Sequence, residues 1–127
     1  VAIGDLREQR QATRDLIDSQ PVDITLLREN EIHIYGGVGR GEPIPQIPRK
    51  RYLTPLRRLT DIPDTNKFGD LGSKWMITHV LVGDYDDDIV RDDEFELDEV
   101  LYRIVDVERR GGYETRALCA TQQITHD

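Results

Sequence analysis

Two stretches of the sequence, residues 74–82 and 101–108, carry apolar side chains at both parities of a two-residue period. In the first, Trp75, Ile77 and Leu81 fall on one face of a strand and Met76, Val80 and Val82 on the other. In the second, Tyr102 and Ile104 oppose Leu101, Val105 and Val107. Strands that are apolar on both faces need cover on both faces. A chain of 127 residues fits one domain, here the whole of residues 1–127, and only one segment in it reads as a helix. The expectation is a small antiparallel sheet that curls or stacks, with part of its outer cover taken from another subunit.

The helix is expected over residues 5–18. Asp5 is placed to cap it, Glu8 stands three residues on as in a capping box, and Pro21 stops it. Its apolar stripe is thin (Leu6, Thr13, Leu16 and Ile17, with Arg10 among them), which suits the outside of a barrel or a neighbouring subunit better than a core. After Pro21 the period changes to two, and strands are expected at about 22–29, 49–60, 74–82, 94–97, 100–109 and 112–122. Pro55 marks the second of these as an edge strand or a bulged one. Two long loops separate them. Residues 30–48 combine a mobile glycine run with Pro43, Pro45 and Pro48, and residues 61–73 carry turn residues throughout. One helix and about six short strands make a mainly β fold, a small antiparallel β-barrel or sandwich.

Charge is distributed in blocks. The chain has 25 acidic and 17 basic residues, a formal net charge of −8, and ten of the acids lie between positions 84 and 99 against one base, Arg91. Arg49, Lys50, Arg51, Arg57 and Arg58 form the opposite block. Complementary blocks let copies of one chain dock head-to-tail; equally, they describe two solvated faces. A chain this acidic is a poor candidate for wrapping DNA, because affinity for phosphate comes mainly from lysine and arginine.

Chemical motifs fail on inspection. Asp84, Asp86 and Asp88 occupy the first ligand positions of a calcium loop, but Ile89 stands where glycine is needed and Phe95 where the closing glutamate is needed. Gly36, Gly37, Gly39 and Gly41 miss the dinucleotide and P-loop templates, because Glu42-Pro43 follows where glycine or a lysine should stand. His33, His79 and His126 have no metal-ligand spacing, and Cys119 sits within an expected strand without a partner for a disulfide. Pro45-Gln46-Ile47-Pro48, with basic residues after it, matches the ligands of proline-recognising domains; a rigid spacer into the next strand explains it as well. No enzyme activity, cofactor or metal is expected. No apolar run reaches the ~18 residues of a bilayer span and no leader-like segment opens the sequence, so no membrane partner is expected either.

The run WMITHVLVG, the turn DYDDDIVRDDEFELD, the strand YRIVDVE and a Gly-Tyr-Glu-Thr segment together resemble the head-closure (head-to-tail stopper) proteins of long-tailed bacteriophages. Tyr85-Asp86-Asp87 with Ile89, followed by a short strand, a turn and YRIV, carries most of the likeness, and the helix, first strand and long loop precede it in the family's order. The resemblance implies a virion protein assembled in the host cytoplasm as a homo-oligomeric ring, of about six or twelve copies. Such a ring lies between portal and adaptor above and tail proteins below, passes double-stranded DNA without sequence-specific binding, and closes the filled head. It also implies a channel-gating loop between the second and third barrel strands, here residues 61–73 with Asp61, Asp64, Lys67, Phe68, Gly69, Asp70 and Gly72. With both arms extended such a loop reaches ~20 Å.

Under this reading the acidic turn, with Asp86, Asp87, Asp88, Asp92 and Asp93, faces either the bore or the Arg49–Arg51 and Arg57–Arg58 block of the next subunit. Net negative charge suits a conduit through which DNA slides. A tail terminator or tail-completion ring protein is the alternative within the neck. From a different class comes a small β-barrel module that binds protein or single-stranded nucleic acid.

Overall fold

The structure, a computed structural model, describes residues 3–34, 37–56 and 75–122. It is mainly β. Helix α1 (Ile3–Ser19) is followed by β1 (Val22–Ile24), β2 (Leu27–Arg28), β3 (Glu31–Ile34), β4 (Gly37–Arg40) and β5 (Ile44–Pro45). Then come β6 (Arg49–Pro55), β7 (Trp75–Asp84), β8 (Glu94–Leu97), β9 (Val100–Arg110) and β10 (Glu114–Gln122). Eight strands form one antiparallel sheet in the order β1-β6-β7-β10-β9-β8-β2-β5, and β3 and β4 form a separate hairpin.

The two ends of that sheet are joined by one piece of chain. β1 pairs with β6 through Val22↔Arg51, and β2, only two residues further along, pairs with β8 through Leu27↔Glu94. Segment 22–28 therefore bridges the sheet's first and last barrel strands and curls it on itself. Ile24 and Leu26 project from it into the core. Two bulges on the same rung of β10 help the sheet bend: Cys119 pairs with His79 and Ile104, leaving Thr78 of β7 and Val105 of β9 as extra residues.

Leu81, Ile89, Phe95, Ile104 and Cys119 fill the interior. Phe95 stacks on Tyr102 at 4.7 Å with an interplanar angle of 3°, and His79 meets the Tyr102 ring edge-on at 5.1 Å. Outside, α1 packs on β6 and β7, burying Thr13 and Ile17, while Val82 of β7 is buried on that outer side. The thin stripe read from the sequence is thus the helix's contact with the barrel wall.

Several boundaries differ from expectation. The helix begins at Ile3, so Asp5 lies in its first turn rather than at its cap; there its charge still complements the helix N-terminus. Residues 30–48, expected as an irregular loop, contain the β3–β4 hairpin and β5, which pairs with β2. Pro55 ends β6 and does not make it an edge strand. β6 is flanked on both sides, but β1 spans only Arg49–Arg51, so no ladder bond toward β1 is asked of Pro55. The expected continuation of this strand to residue 60 lies outside the described residues. The last strand starts at Glu114, because Gly111 and Gly112 take left-handed φ values of 50° and 72° in the preceding turn.

Candidate functional site

The acidic turn, residues 84–93, folds over one end of the barrel. Arginines from four elements meet it. From β6, Arg51 donates Nε to Asp87 Oδ2 at 2.8 Å and Nη2 to Asp87 Oδ1 at 2.7 Å, and its Nη1 donates to the Ile24 carbonyl at 2.8 Å. Two positions earlier on the same strand, Arg49 reaches Asp86 at 2.9 Å and Asp84 at 3.4 Å. From β2, Arg28 grips Asp93 with Nε and Nη2, both at 3.0 Å, and touches Asp88 at 3.1 Å. Arg14 of α1 adds a contact to Asp84 at 3.1 Å. From β9, Arg109 donates to the carbonyls of Asp87 at 2.8 Å and Ile89 at 3.2 Å.

The pairing follows from strand periodicity. Arg49 and Arg51 share one face of β6, with Lys50 on the other, and that face points at the turn. The turn orders itself as well: Asp93 accepts the Val90 amide at 3.1 Å, and the Asp92 amide donates to Ile104 O at 2.8 Å. Ile89, held between these anchors, is buried in the core. Gly83 has to be glycine, since a Cβ there would collide with the Asp87 carboxylate. Arg10 of α1 lies 3.7 Å from the centre of the Tyr85 ring and donates to Gly112 O at 2.9 Å, tying the helix to the same end.

Electrostatics match this geometry. The hydrogen bond from Arg49 holds the Asp86 carboxyl below its usual range. The Asp93 hydrogen bond raises the Arg28 guanidinium above its own. Burial works against the charge on Arg49, yet its carboxylate partners outweigh burial and raise it too. These groups stay ionised at neutral pH and serve as a clamp, with no proton to exchange.

Two expectations about the charged blocks are corrected by this. The basic strand and the acidic turn meet within one chain, so the attraction assigned to neighbouring copies is satisfied internally at Arg49 and Arg51. Arg51, Asp87 and Asp93 are each 1% exposed and face neither a bore nor a partner. Lys50, Asp86, Asp88 and Asp92 remain at the surface. Arg57, Arg58 and the expected gating residues Asp61, Asp64, Lys67, Phe68, Gly69, Asp70 and Gly72 lie outside the described residues. Sequence reasoning missed Arg28, Arg14 and Arg109, whose partners lie far along the chain.

The other chemistry-bearing groups are occupied. Cys119 is buried in the core, and burial pushes its thiol up to about 12, which leaves it unreactive at neutral pH. His79 Nδ1 and Thr78 Oγ1 are 2.7 Å apart, and burial lowers the imidazole. Arg103 hydrogen-bonds Glu94 at 2.9 Å while lying 4.4 Å from the Trp75 ring centre. A groove of about 280 Å³ beside them is lined by Leu27, Glu29, Pro43, Asp92 and Arg103, among others. Among the described residues, no group of three or more His, Cys, Asp or Glu side chains is arranged to hold a metal ion. No helix among them is long and apolar enough to cross a membrane. No family model matches this chain, and no curated protein matches it.

Proposed function

We propose that the chain is a structural subunit of a bacteriophage neck, a head-closure protein whose ring joins the portal complex to the tail and lets DNA pass. The observation that carries this reading is the connection between β6 and β7. These strands are antiparallel neighbours, paired through Pro55↔His79, and a short hairpin would join them. β9 and β10, neighbours in the same sheet, are joined through only Gly111, Gly112 and Tyr113. Between Pro55 and Trp75 the sequence holds residues 56–74, several times the length of the β9–β10 connection. A segment of this length at this place in the barrel is where the resembling family carries its channel loop.

The clamped acidic turn supports the same reading from a different side. It ties α1, β2, β6 and β9 to one turn through ion pairs and hydrogen bonds, which suits a part that bears load in an assembly better than one that opens for a substrate.

Imaging the neck of intact particles, with this chain tagged at its exposed Asp98–Glu99 turn, tests the proposal. The expected result is a ring of tag density between portal and tail. Tag density at the tail end of the neck alone would shift the assignment to a terminator, and particles lacking the chain would overturn the neck reading altogether. In particles whose residues 61–73 are replaced by a short Gly-Ser turn, filled heads should form and then lose DNA.

A further inference from the structure

Residues 42–50 carry a second surface, one that the neck reading does not use. Proline fixes its own φ and drives the residue before it into extended geometry. With Pro43, Pro45 and Pro48 in place, Glu42 to Pro45 and Ile47 to Pro48 are all so constrained. Gln46, the remaining residue, is held from both ends: its amide donates to Leu26 O at 2.8 Å and its Nε2 to Ile44 O at 3.1 Å. Pairing of Ile44 with Arg28 and Pro45 with Leu27 fixes the strip to the barrel. The result is an extended strip on the surface whose ordering entropy is already lost on folding.

Its side chains have a regular spacing. Ile44-Pro45 and Ile47-Pro48 are two apolar–proline steps three residues apart, one turn of a polyproline helix or about 9 Å. Ile47 is 82% exposed and Ile44 is 47% exposed, and all three prolines are exposed. Beyond the second step come three bases with different fates. Arg49 is turned onto Asp84 and Asp86, Arg51 is buried on Asp87, and Lys50 between them is exposed with no ion pair among the described residues. The prolines have no N–H to donate, so the strip cannot recruit another strand by ladder bonds along its length.

The geometry points to a docking strip for a partner protein whose groove is lined by aromatic rings and edged by carboxylates. The two apolar–proline steps fill adjacent slots between the rings, and Lys50 reaches the carboxylates. Arg49 is withheld by the clamp, which leaves Lys50 as the base that sets the orientation of binding. This inference stands apart from the neck reading and survives its failure.

The test titrates the intact, isotope-labelled chain with a purified SH3 domain that selects a basic residue after the second proline. Expected are shifts confined to residues 43–50 and a Kd on the order of 100 μM or tighter. Ile47→Ala should weaken binding about tenfold, Lys50→Gln should weaken it several-fold, and Lys50→Arg should restore it. Met76→Ala, an exposed apolar change elsewhere, should do nothing. The proposal is overturned if the folded chain fails to bind at about 1 mM, whether or not a free peptide of residues 42–52 binds. It is equally overturned if binding survives both Ile47→Ala and Lys50→Gln. Self-association through the strip without binding to the domain would assign it to a second copy instead.

Discussion

Arg51 and Asp87 form a bidentate ion pair with each partner 1% exposed, and it joins the middle of β6 to the tip of the acidic turn. Both oxygens of Asp87 and all three guanidinium nitrogens of Arg51 are used, the third on the Ile24 carbonyl. Removing either member strands the other as a buried, uncompensated charge, which costs about 3–5 kcal/mol. Asp87→Ala and Arg51→Ala should each lower unfolding free energy by that amount in urea titration. Replacing both together should cost much less than the sum, since no lone charge is then left. Additive losses would mean that the pair is not coupled.

Gly83 is set against the same pair from behind. A methyl group there would drive the Asp87 carboxylate off Arg51. Gly83→Ala is therefore expected to cost about 2–3 kcal/mol in the native background, through overpacking and loss of the pair together. In the Asp87→Ala background the collision with the carboxylate is gone and only the Cβ of residue 87, 3.0 Å away, has to give, so the same substitution should cost about half as much or less. Equal costs in both backgrounds would show that Gly83 is required for its backbone alone.

These residues also show what the sequence could and could not reveal. The barrel strands were legible from their two-residue period and apolar content between turn signals, and the structure buries one parity of the longest of them, with Leu81 and Ile104, in the core. The β3–β4 hairpin was not, since Gly37-Val38-Gly39-Arg40 pairs through its backbone while its composition reads as loop. Likewise β5 is only Ile44 and Pro45, and its proline argues against a strand. The clamp was half legible. Two blocks of opposite charge were visible, but charge alone does not say whether they meet within a chain or between chains. The available signal was parity: Arg49 and Arg51 share one face of a strand otherwise destined for a core, and an arginine on that face demands a buried acid. Arg28 gave no such signal, being 60 and 65 positions from its partners Asp88 and Asp93.

The β8–β9 turn is made by two residues with positive φ, Asp98 at 51° and Glu99 at 68°. That is the backbone of the hairpin turn for which Asn-Gly is the favoured pair, and glutamate is poorly suited to its second position. Glu99 carries a left-handed penalty of about 1 kcal/mol. Glu99→Gly removes this and adds chain entropy to the unfolded state, for an expected net gain of about 0.5 kcal/mol. Glu99→Val should lose more than about 1 kcal/mol, because a β-branched residue resists this region. Thermal melts of the two variants check the order; a stabilised valine variant would contradict the turn assignment.

Acidification should weaken the fold in two separate windows. Burial lowers the pKa of His79 from its ordinary 6.5, so the folded chain prefers the neutral ring that packs against Tyr102. Below pH 6.5 the unfolded chain takes up the proton first, and stability falls until the folded pKa is reached. Asp86 behaves likewise lower down. Its pKa is depressed from 3.8 by Arg49, so the stability it contributes is complete above that value and is lost as pH drops through the folded pKa. Arg49 does not titrate in either window, because its own pKa is raised. NMR titration should place the His79 ring below 6.5, and unfolding curves for His79→Gln should be flatter than wild type between about pH 7 and 5. Asp86→Asn should leave that upper window unchanged, flatten the lower one and make the remaining stability less sensitive to salt. A His79 ring that titrates above 6.5 would mean that a carboxylate, and not the apolar barrel interior, sets its charge.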